Sequence, residues 1–384
     1  MEQQPLQRLF SYPKNSVLPW NIWKSQIVRD KKKLSIGWCA PFPPIPNGGA
    51  VMTEKVIQEM LRRKDKENIE VYAIPENGKI DKQKFKLVKY ANITYPLDVI
   101  FFFSTEYLFQ RYNHHTKYIA WQTIHFLIDE KPTELEIFEK IKHADFVAAP
   151  TKMAEKEYRE HGIKNIRYVP EGIELYHYPF TVKKKKKIIF ISRSMYYKGV
   201  MPFLDAIPFI IQKHDDIIIE ANIPIDSNSP YLSDIITALK EKQTRYHKNF
   251  HYNSLWLPEE KIRKMYADAS IMLLPSNNEG FGIPIVEAMA SGTIPIVADR
   301  APMNELVKHN KTGICLPLKR QKKYHYVEFP LVKNIVSACD SVLRDPKSYI
   351  KMQKNARKKV EQEYTIEHTV DLLLSLARKI VQRR

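Results

Sequence analysis

A repeated alternation of short apolar runs with longer helical stretches is the feature that most limits how this sequence can fold. The runs are rich in β-branched and aromatic residues, which is typical of strands buried on both faces of a parallel sheet. The stretches between them, such as 50–63, place apolar residues at helical spacing. The alternation therefore predicts an α/β protein whose parallel sheets are covered by helices. The predicted strands are 33–41, 69–75, 98–104, 117–123, 146–151, 166–172, 187–193, 216–223, 249–254, 270–276, 294–299 and 313–317.

A lysine-rich stretch, 177–187, interrupts this alternation. It has no periodicity and contains five consecutive lysines, and because a run of like charges is usually solvated, we interpret it as a linker. The sequence thus predicts two doubly wound, Rossmann-like domains, an N-terminal one over 1–182 and a C-terminal one over 183–364, followed by a helix over 365–384. Since doubly wound sheets bind ligands at the carboxyl ends of their strands, we expect the site in the cleft between the two domains.

The charge balance favours anionic partners. The chain has 61 Lys and Arg residues against 43 Asp and Glu residues, a net charge of +18. A surface this basic favours nucleotides, nucleic acid or an anionic membrane face. The sequence has no RNA-recognition, KH or zinc-finger signature, so nucleic acid is not expected as a partner. Peripheral contact with an anionic membrane stays open, with Trp20 and Trp23 as candidate anchors, although a packing role for them is simpler.

The compartment is inferred from what the sequence lacks. No apolar run approaches the roughly 18 residues of a membrane-spanning helix, and the N-terminus has no continuous apolar stretch of the kind a secretory signal carries. Cys39, Cys315 and Cys339 are far apart and have no metal-type spacing, which fits a reducing compartment. We therefore expect a cytoplasmic protein, either free or peripheral at the cytosolic face of a membrane.

Glycine is scarce, with 11 residues, and more than half of these lie at predicted strand-to-helix turns. A phosphate-bearing ligand must approach the backbone where a Cβ would clash, and the N–H groups at a helix start then bind the anion. Gly48 and Gly49 follow the first strand in this way, although an ordinary tight turn explains that pair equally well. No GxGxxG is present, which disfavours a dinucleotide oxidoreductase.

The segment after the strand at 270–276 is the most informative. Glu279 precedes a Gly-Phe-Gly turn, and a helix is predicted to begin near Pro284, where proline suits the first turn. Glu287 lies about one turn into that helix, and helical side chains lean towards the N-terminus. Both carboxylates are therefore predicted to converge on whatever occupies the cleft.

Together these residues resemble the signature of retaining glycosyltransferases of the GT-B fold, family 4, in which two glutamates are separated by seven residues. Glu279 and Glu287 match the two glutamates, and IFISRSMYYKG matches the Arg-x4-Lys-Gly element of the family. Further matches are VPEGIE at the end of the first domain, LPEEKIRKMYADASIMLLPS, and APMNELVKHNKTGICLP with Glu305 as its acidic residue. The resemblance covers most of 34–364 and is strongest over 187–317.

The resemblance implies a role for each matched residue. Glu279 is expected beside the donor sugar, and Glu287 at the ribose hydroxyls, because a carboxylate can accept two hydrogen bonds from a vicinal diol. Two cations would neutralise the diphosphate as the glycosidic bond breaks. The catalytic residues are then Glu279 and His125, and the donor-binding residues are Gly49, Arg193, Lys198, Gly280, Phe281, Gly282, Ile283 and Glu287.

The resemblance also implies how the domains divide the work, with the donor mainly in the second domain and the acceptor mainly in the first. The last helix is expected to cross back onto the first domain. No Asp-x-Asp motif is present, so neither a metal nor a cofactor is expected. The donor would be a UDP- or GDP-hexose of the glucose or mannose type. The acceptor would be a glycan, a lipid-linked sugar or a protein, and transfer would retain the anomeric configuration by a same-face displacement.

Several alternatives stay open. Within enzymes of this fold they are a sugar-nucleotide epimerase or a phosphorylase, although no lysine for a pyridoxal cofactor can be placed. From other classes they are a non-catalytic sugar-nucleotide-binding protein and a nucleic-acid-binding protein. The complete set of Glu279, Glu287, Arg193 and Lys198 favours a catalytic protein over a degenerate one.

Overall fold

Two parallel β-sheets, each covered by helices, form the framework of the computed structural model. The prediction of two Rossmann-like α/β units is confirmed. The structure describes residues 32–43, 48–75, 80–81, 83, 85–86, 88–91, 93–103, 115–121, 135–227, 229–325 and 327–382.

The first sheet, as far as the chain is described, has seven strands, and every neighbouring pair is parallel. Its inner strands are almost entirely buried, as their continuous apolar sequences require, whereas the two edge strands are partly exposed. The strands are β1 (Leu34–Ala40), β2 (Ile69–Pro75), β3 (Lys89–Tyr90), β4 (Val99–Phe103), β5 (Lys117–Trp121), β6 (Phe146–Ala149) and β7 (Ile166–Tyr168), in the order β3-β2-β1-β4-β5-β6-β7. The helices of this part are α1 (Gly48–Arg63), α2 (Leu135–Ile141) and α3 (Lys152–Glu160).

The second sheet repeats this design with six parallel strands among the described residues. They are β8 (Lys185–Ile191), β9 (Ile218–Asn222), β10 (Phe250–Asn253), β11 (Ala269–Leu274), β12 (Ile294–Ala298) and β13 (Ile314–Leu316), in the order β10-β9-β8-β11-β12-β13. The helices are α4 (Val200–Lys213), α5 (Leu232–Arg245), α6 (Glu259–Asp268), α7 (Ile283–Ser291), α8 (Met303–Leu306) and α9 (Val332–Arg344). An antiparallel hairpin of β14 (Leu318–Arg320) and β15 (Glu328–Pro330) lies outside the sheet, and α10 (Ile350–Glu363) and α11 (Ile366–Val381) end the chain.

The strand orders define where a ligand fits. In the first sheet the chain runs outward from β1 to β2 and β3, then returns to the other side of β1 with β4. In the second sheet it runs outward from β8 to β9 and β10, then returns with β11. The loops diverge where the direction reverses, so each sheet has a crevice at the carboxyl ends of its two central strands.

The chain crosses between the two sheets twice, and the two crossings bond to each other. The Ile173 amide donates to the Tyr364 carbonyl at 2.9 Å, and the Ile366 amide donates to the Ile173 carbonyl at the same distance. Gly172 is required here, because a Cβ at this position would lie 2.2 Å from the Thr365 carbonyl oxygen. We call residues 169–182 the crossing segment.

The last helix, α11, packs on the first sheet. It contacts α1, and its buried side chains belong to the same hydrophobic cluster as those of β1, β4 and β5. Arg378 at its far end also bonds Glu67, at 2.8 Å. The buried side chains of its apolar stripe are Ile366, Val370, Leu373, Leu374, Ala377 and Ile380.

The prediction that the whole of 177–187 is a linker is wrong for its second half. Lys185, Lys186 and Lys187 form the start of β8, where their ammonium groups pair with carboxylates of neighbouring elements. Lys184 is largely buried and donates to three backbone carbonyls, at 2.7–3.0 Å. The lysine run can therefore form a strand, because the long side chains bring each ammonium group to an acceptor. A count of charges alone does not show these acceptors.

Smaller differences concern the edges of elements. The strand predicted over 166–172 ends at Tyr168, and the short β3 and the β14–β15 hairpin were not predicted. The three cysteines are buried thiols. Within the described ranges, no helix combines the length and apolar character needed to cross a bilayer.

Candidate active site

A buried ion pair lies at the crevice of the second sheet. Lys198 follows β8 and Glu279 follows β11, so the two central strands of the sheet supply one partner each. The Lys198 Nζ donates to the Glu279 Oε2 at 2.6 Å and to the Asn278 carbonyl at 3.0 Å. Their side chains are only 9% and 10% exposed. The structure therefore brings together two of the predicted site residues.

The two loops that carry this pair form one unit. The Asn277 amide donates to the Tyr197 carbonyl at 2.8 Å, and the Ser276 hydroxyl donates to the Asn278 carbonyl at 2.9 Å. Gly199 makes this contact possible, because it has a φ of +74° and a Cβ there would lie 2.3 Å from the Pro275 carbonyl oxygen. The local backbone thus holds the ammonium and the carboxylate in place without a ligand.

The pair can bind a ligand through both of its partners, one as a hydrogen-bond donor and the other as an acceptor. An ammonium has three N–H donors, and Lys198 uses two of them in the contacts above, which leaves one for an anion. The carboxylate of Glu279 keeps its second oxygen as an acceptor for a hydroxyl group. The α7 helix begins a few residues later, and the N–H groups of its first turn add positive potential.

Arg193 lies on the same side of the sheet but outside this pair. Its Nη1 donates to the Asp226 carboxylate at 3.1 Å, and its side chain is 43% exposed. The described contacts therefore place the guanidinium at the rim of the crevice, where a bound anion would compete with Asp226 for it.

Glu287 lies on α7 and is also buried. Its carboxyl accepts a hydrogen bond from the buried hydroxyl of Tyr178 in the crossing segment. Burial raises the pKa of Glu287 above its usual value, while the charge of Lys55 and the Tyr178 hydroxyl oppose that rise. The Tyr266 hydroxyl lies close enough to lower this pKa too, but it is outside hydrogen-bond geometry and has no partner among the described residues.

The first domain contributes a buried cation to this region. Lys55 on α1 is 5% exposed, and its charge acts on both Glu287 and Glu171. Burial raises the pKa of Glu171 to about 8, and Lys55 limits the rise. Glu171 belongs to the crossing segment, so the charge of one lysine of the first domain acts on a carboxyl of the crossing segment and on one of α7.

Glu305 joins the two domains directly. Its carboxylate accepts from the Lys152 amide at 2.8 Å and from the Met153 amide at 2.7 Å, the first two amides of α3. The residue belongs to α8 of the second domain, whereas α3 belongs to the first. An anion at a helix N-terminus is stabilised both by these N–H groups and by the helix dipole.

The other predicted site residues divide into three groups. Gly49 is the second residue of α1, and Gly280 and Gly282 form the turn before α7, where Gly282 has a φ of +106°. The side chain of Phe281 is buried against Tyr364, and Ile283 packs against the cores of both domains, so any donor contact from these two would come from the backbone. His125, Trp20 and Trp23 lie outside the described residues.

Comparison with protein families identifies the second domain. Residues 178–359 match the family model for glycosyl transferases group 1. The match covers slightly less than half of the chain. Among the relatives, an uncharacterized glycosyltransferase of Methanocaldococcus jannaschii is 28% identical over 181 residues, which make up 47% of this chain and 42% of that protein. The chain therefore matches less than half of that relative's length.

Solved structures extend the likeness to both domains. Anabaena HepE, solved in complex with UDP and glucose, has a TM-score of 0.69 at 13% identity, over 90% of this chain and 100% of that one. A glycosyltransferase from Rickettsia africae has a TM-score of 0.70 at 14% identity, over 92% and 100%. The fold is therefore the two-domain GT-B fold that the motifs predicted.

Sequence reasoning missed three residues of this site. Tyr178 was hidden in an aperiodic segment, and Lys55 in an ordinary amphipathic helix. Glu305 was noticed as part of a matching stretch, but its contact with α3 joins residues 152 positions apart. The sequence carries no local signal for these contacts, because each residue lies beside other polar residues and finds its partner only in the folded chain.

Proposed function

We propose that this protein is a retaining, metal-independent glycosyltransferase that moves a hexose of the glucose or mannose type from a nucleotide-diphosphate sugar. The acceptor would be a glycan, a lipid-linked sugar or a protein. The observation that carries the proposal is the buried Lys198–Glu279 pair at the crevice of the second sheet. It places an N–H group that can donate a hydrogen bond to a phosphate beside an oxygen that can accept one from a hydroxyl. The match of the same domain to the group 1 family model supports it.

The residues would share the chemistry as follows. The free N–H of Lys198, the guanidinium of Arg193 and the first-turn amides of α7 stabilise the negative charge that develops on the diphosphate leaving group. Glu279 accepts a hydrogen bond from a hydroxyl of the donor sugar and so fixes its orientation. Glu287 accepts from the ribose hydroxyls. Rate enhancement then comes from positioning and from leaving-group stabilisation.

No metal or cofactor enters this proposal, because two cationic side chains and a helix N-terminus would stabilise the leaving group. UDP is the first nucleotide to test, since Anabaena HepE was solved with UDP and glucose. GDP is the second. The net charge of +18 supports an anionic acceptor or work beside an anionic membrane face.

Calorimetric binding of UDP, GDP and ADP with a chelator present tests the site. We expect one nucleotide to bind with a micromolar Kd. Glu287→Gln should weaken binding of this nucleotide, which contains the ribose. Glu279→Gln should weaken binding only of its hexose conjugate, which contains the sugar. Glu260→Gln, an exposed glutamate on α6, is the matched control and should bind as wild type does. Absence of binding by every nucleotide would refute the proposal.

Product analysis then separates transfer from the alternatives. The nucleotide that binds is supplied as its glucose and mannose conjugates, and release of free nucleoside diphosphate is followed with and without a pool of candidate acceptors. Acceptor-dependent release supports a transferase. Binding without any release would instead favour a non-catalytic sugar-nucleotide-binding protein, and a change of the sugar without release would favour an epimerase.

A further inference from the structure

The contact between Tyr178 and Glu287 joins two parts of the chain that are 109 positions apart. Tyr178 is 3% exposed and Glu287 is 8% exposed, so solvent competes weakly for this hydrogen bond. A carboxylate has about four acceptor positions on its two oxygens, and the tyrosine hydroxyl occupies one of them on Oε1. The bond therefore restricts the rotation of the carboxylate while leaving acceptor positions free.

A second contact holds the tyrosine itself in place. The Arg357 Nη1 donates to the Tyr178 carbonyl at 2.7 Å and to the Ala290 carbonyl at 2.9 Å. Ala290 lies near the end of α7, the helix that carries Glu287. One guanidinium thus ties the crossing segment to the last turn of α7, while the tyrosine hydroxyl ties the same segment to its middle.

We propose that Tyr178 is a positioning residue for Glu287, which it orients so that the free acceptor positions of the carboxylate face the ribose of the bound nucleotide. This inference rests on the proposed function, since it assigns Tyr178 to the same nucleotide site. It makes the crossing segment, and not only the second domain, part of the donor site. It also predicts that the contribution of Tyr178 depends on the ribose hydroxyls.

Tyr266 provides a natural comparison within the same pocket. It is fully buried, its ring meets that of Tyr178 edge-on with centroids 6.3 Å apart, and its hydroxyl approaches the same carboxyl without making a hydrogen bond. Removing either hydroxyl changes one oxygen atom in the same environment. Removal of the Tyr178 hydroxyl, which has hydrogen-bond geometry, should therefore release the carboxylate more than removal of the Tyr266 hydroxyl.

The pH dependence of binding gives an independent signature. The groups that act on the Glu287 carboxyl are Lys55 on α1, Tyr178 in the crossing segment, and Tyr266 and Glu259 on α6. Because Tyr178 donates to the ionised carboxylate, Tyr178→Phe should raise the pKa of Glu287 further. Binding of a ribose diol needs the ionised form, so nucleotide affinity should be lost at a higher pH in the variant as the solution is acidified.

The experiment measures the Kd of UDP and of 2′-deoxy-UDP for wild type, Tyr178→Phe and Tyr266→Phe, between pH 5 and pH 8. GDP and 2′-deoxy-GDP form the second pair. For Tyr178→Phe we expect a rise in the Kd of the ribonucleotide of about tenfold at pH 7 and a rise of about twofold or less for the deoxynucleotide. Tyr266→Phe should stay within about twofold of wild type for both.

The outcomes separate the inference from the function on which it rests. If wild type binds neither nucleotide pair, the proposed function fails. If wild type binds and Tyr178→Phe binds equally well, or loses both nucleotides equally with no pH shift, Tyr178 has no positioning role and the function stands. Should Tyr178→Phe unfold early, the Arg357→Lys variant takes its place, and a loss confined to the ribonucleotide is again the expected result.

Discussion

The two glutamates of the site are both buried, yet the protein satisfies them in different ways. Glu279 is paired with the full charge of Lys198, and the whole pair is built by two loops of the second domain. Glu287 accepts a hydrogen bond from a neutral hydroxyl of the crossing segment, and the positive charge that lowers its pKa comes from Lys55 of the first domain. One carboxylate therefore depends on a single domain, and the other depends on how both domains and their connection are arranged.

The difference teaches which group responds to which change. A buried carboxylate with a cation 2.6 Å away is stabilised by that one contact, so removing the cation is the strongest perturbation. A buried carboxylate with a neutral donor has a raised pKa and responds to pH and to movement of its neighbours. The predictions below test first the region of Glu279 and then the region of Glu287.

Lys198→Met should have the largest effect on stability. It leaves the Glu279 carboxylate buried without its cation, and breaking such a pair by removing one partner costs about 3–5 kcal/mol in the free energy of unfolding. Urea titration measures this loss. The double variant Lys198→Met/Glu279→Gln should regain most of the stability but should not bind nucleotide. A single variant as stable as wild type would show that the pair contributes nothing.

Gly172→Ala should distort the backbone of the crossing segment, which carries the hydrogen-bond partner of Glu287. The added Cβ would lie 2.2 Å from the Thr365 carbonyl oxygen, so the two crossings must separate, at a cost of about 2–3 kcal/mol in the free energy of unfolding. Gly48→Ala is the matched control, since its Cβ meets no atom within 4 Å, and it should change stability by less than about 0.5 kcal/mol. Equal effects of the two variants would contradict the close approach.

Glu171→Gln should remove a pH dependence of stability. The folded protein keeps this carboxyl protonated up to about pH 8, well above the pKa of an unfolded glutamate, so its contribution is present at low pH and is lost as the pH rises through about 8. The glutamine variant should therefore gain about 2 kcal/mol relative to wild type at about pH 6 and almost nothing at pH 4. Thermal unfolding at both values measures this, and a gain independent of pH would argue against Glu171 as the titrating group.

Glu305→Gln should have the smallest effect. It keeps an acceptor near the Lys152 and Met153 amides but removes the charge, with an expected loss of about 1 kcal/mol. Hydrogen exchange of these amides should become faster, because they lie at the start of α3 and depend on this carboxylate. Glu160→Gln, at the other end of α3, is the control. Unchanged exchange in Glu305→Gln would mean that the two domains do not hold each other through this contact.

The fold could be predicted almost completely because its signal is local. A run such as Val99–Phe103 is apolar at every position, and only a strand buried on both faces suits it. The loops after the central strands could be found for the same reason, since Gly199 and Gly282 mark turns that need a positive φ. The lysines of β8 were misjudged because a count of like charges does not reveal the carboxylates that neutralise them.

The candidate site could be predicted only in part. Lys198 and Glu279 follow the central strands, so topology alone places them near each other. The contact of Tyr178 with Glu287, and that of Glu305 with α3, join distant segments whose approach depends on how the second domain packs against the crossing segment and the first domain. No periodicity encodes such contacts, because they involve single side chains and not repeated faces.

The sequence by itself determined the two doubly wound units, the turns that hold Gly199 and Gly282, and the order of the loops around each crevice, since these follow from local periodicity and backbone geometry. Only the tertiary structure decided which partner each glutamate has. Lys198 reached Glu279 across one sheet, whereas Glu287 received a hydroxyl from the crossing segment and a distant charge from the first domain. A buried carboxylate is stabilised by a hydrogen-bond donor within about 3 Å, and the packing of the whole molecule decides which donor lies there.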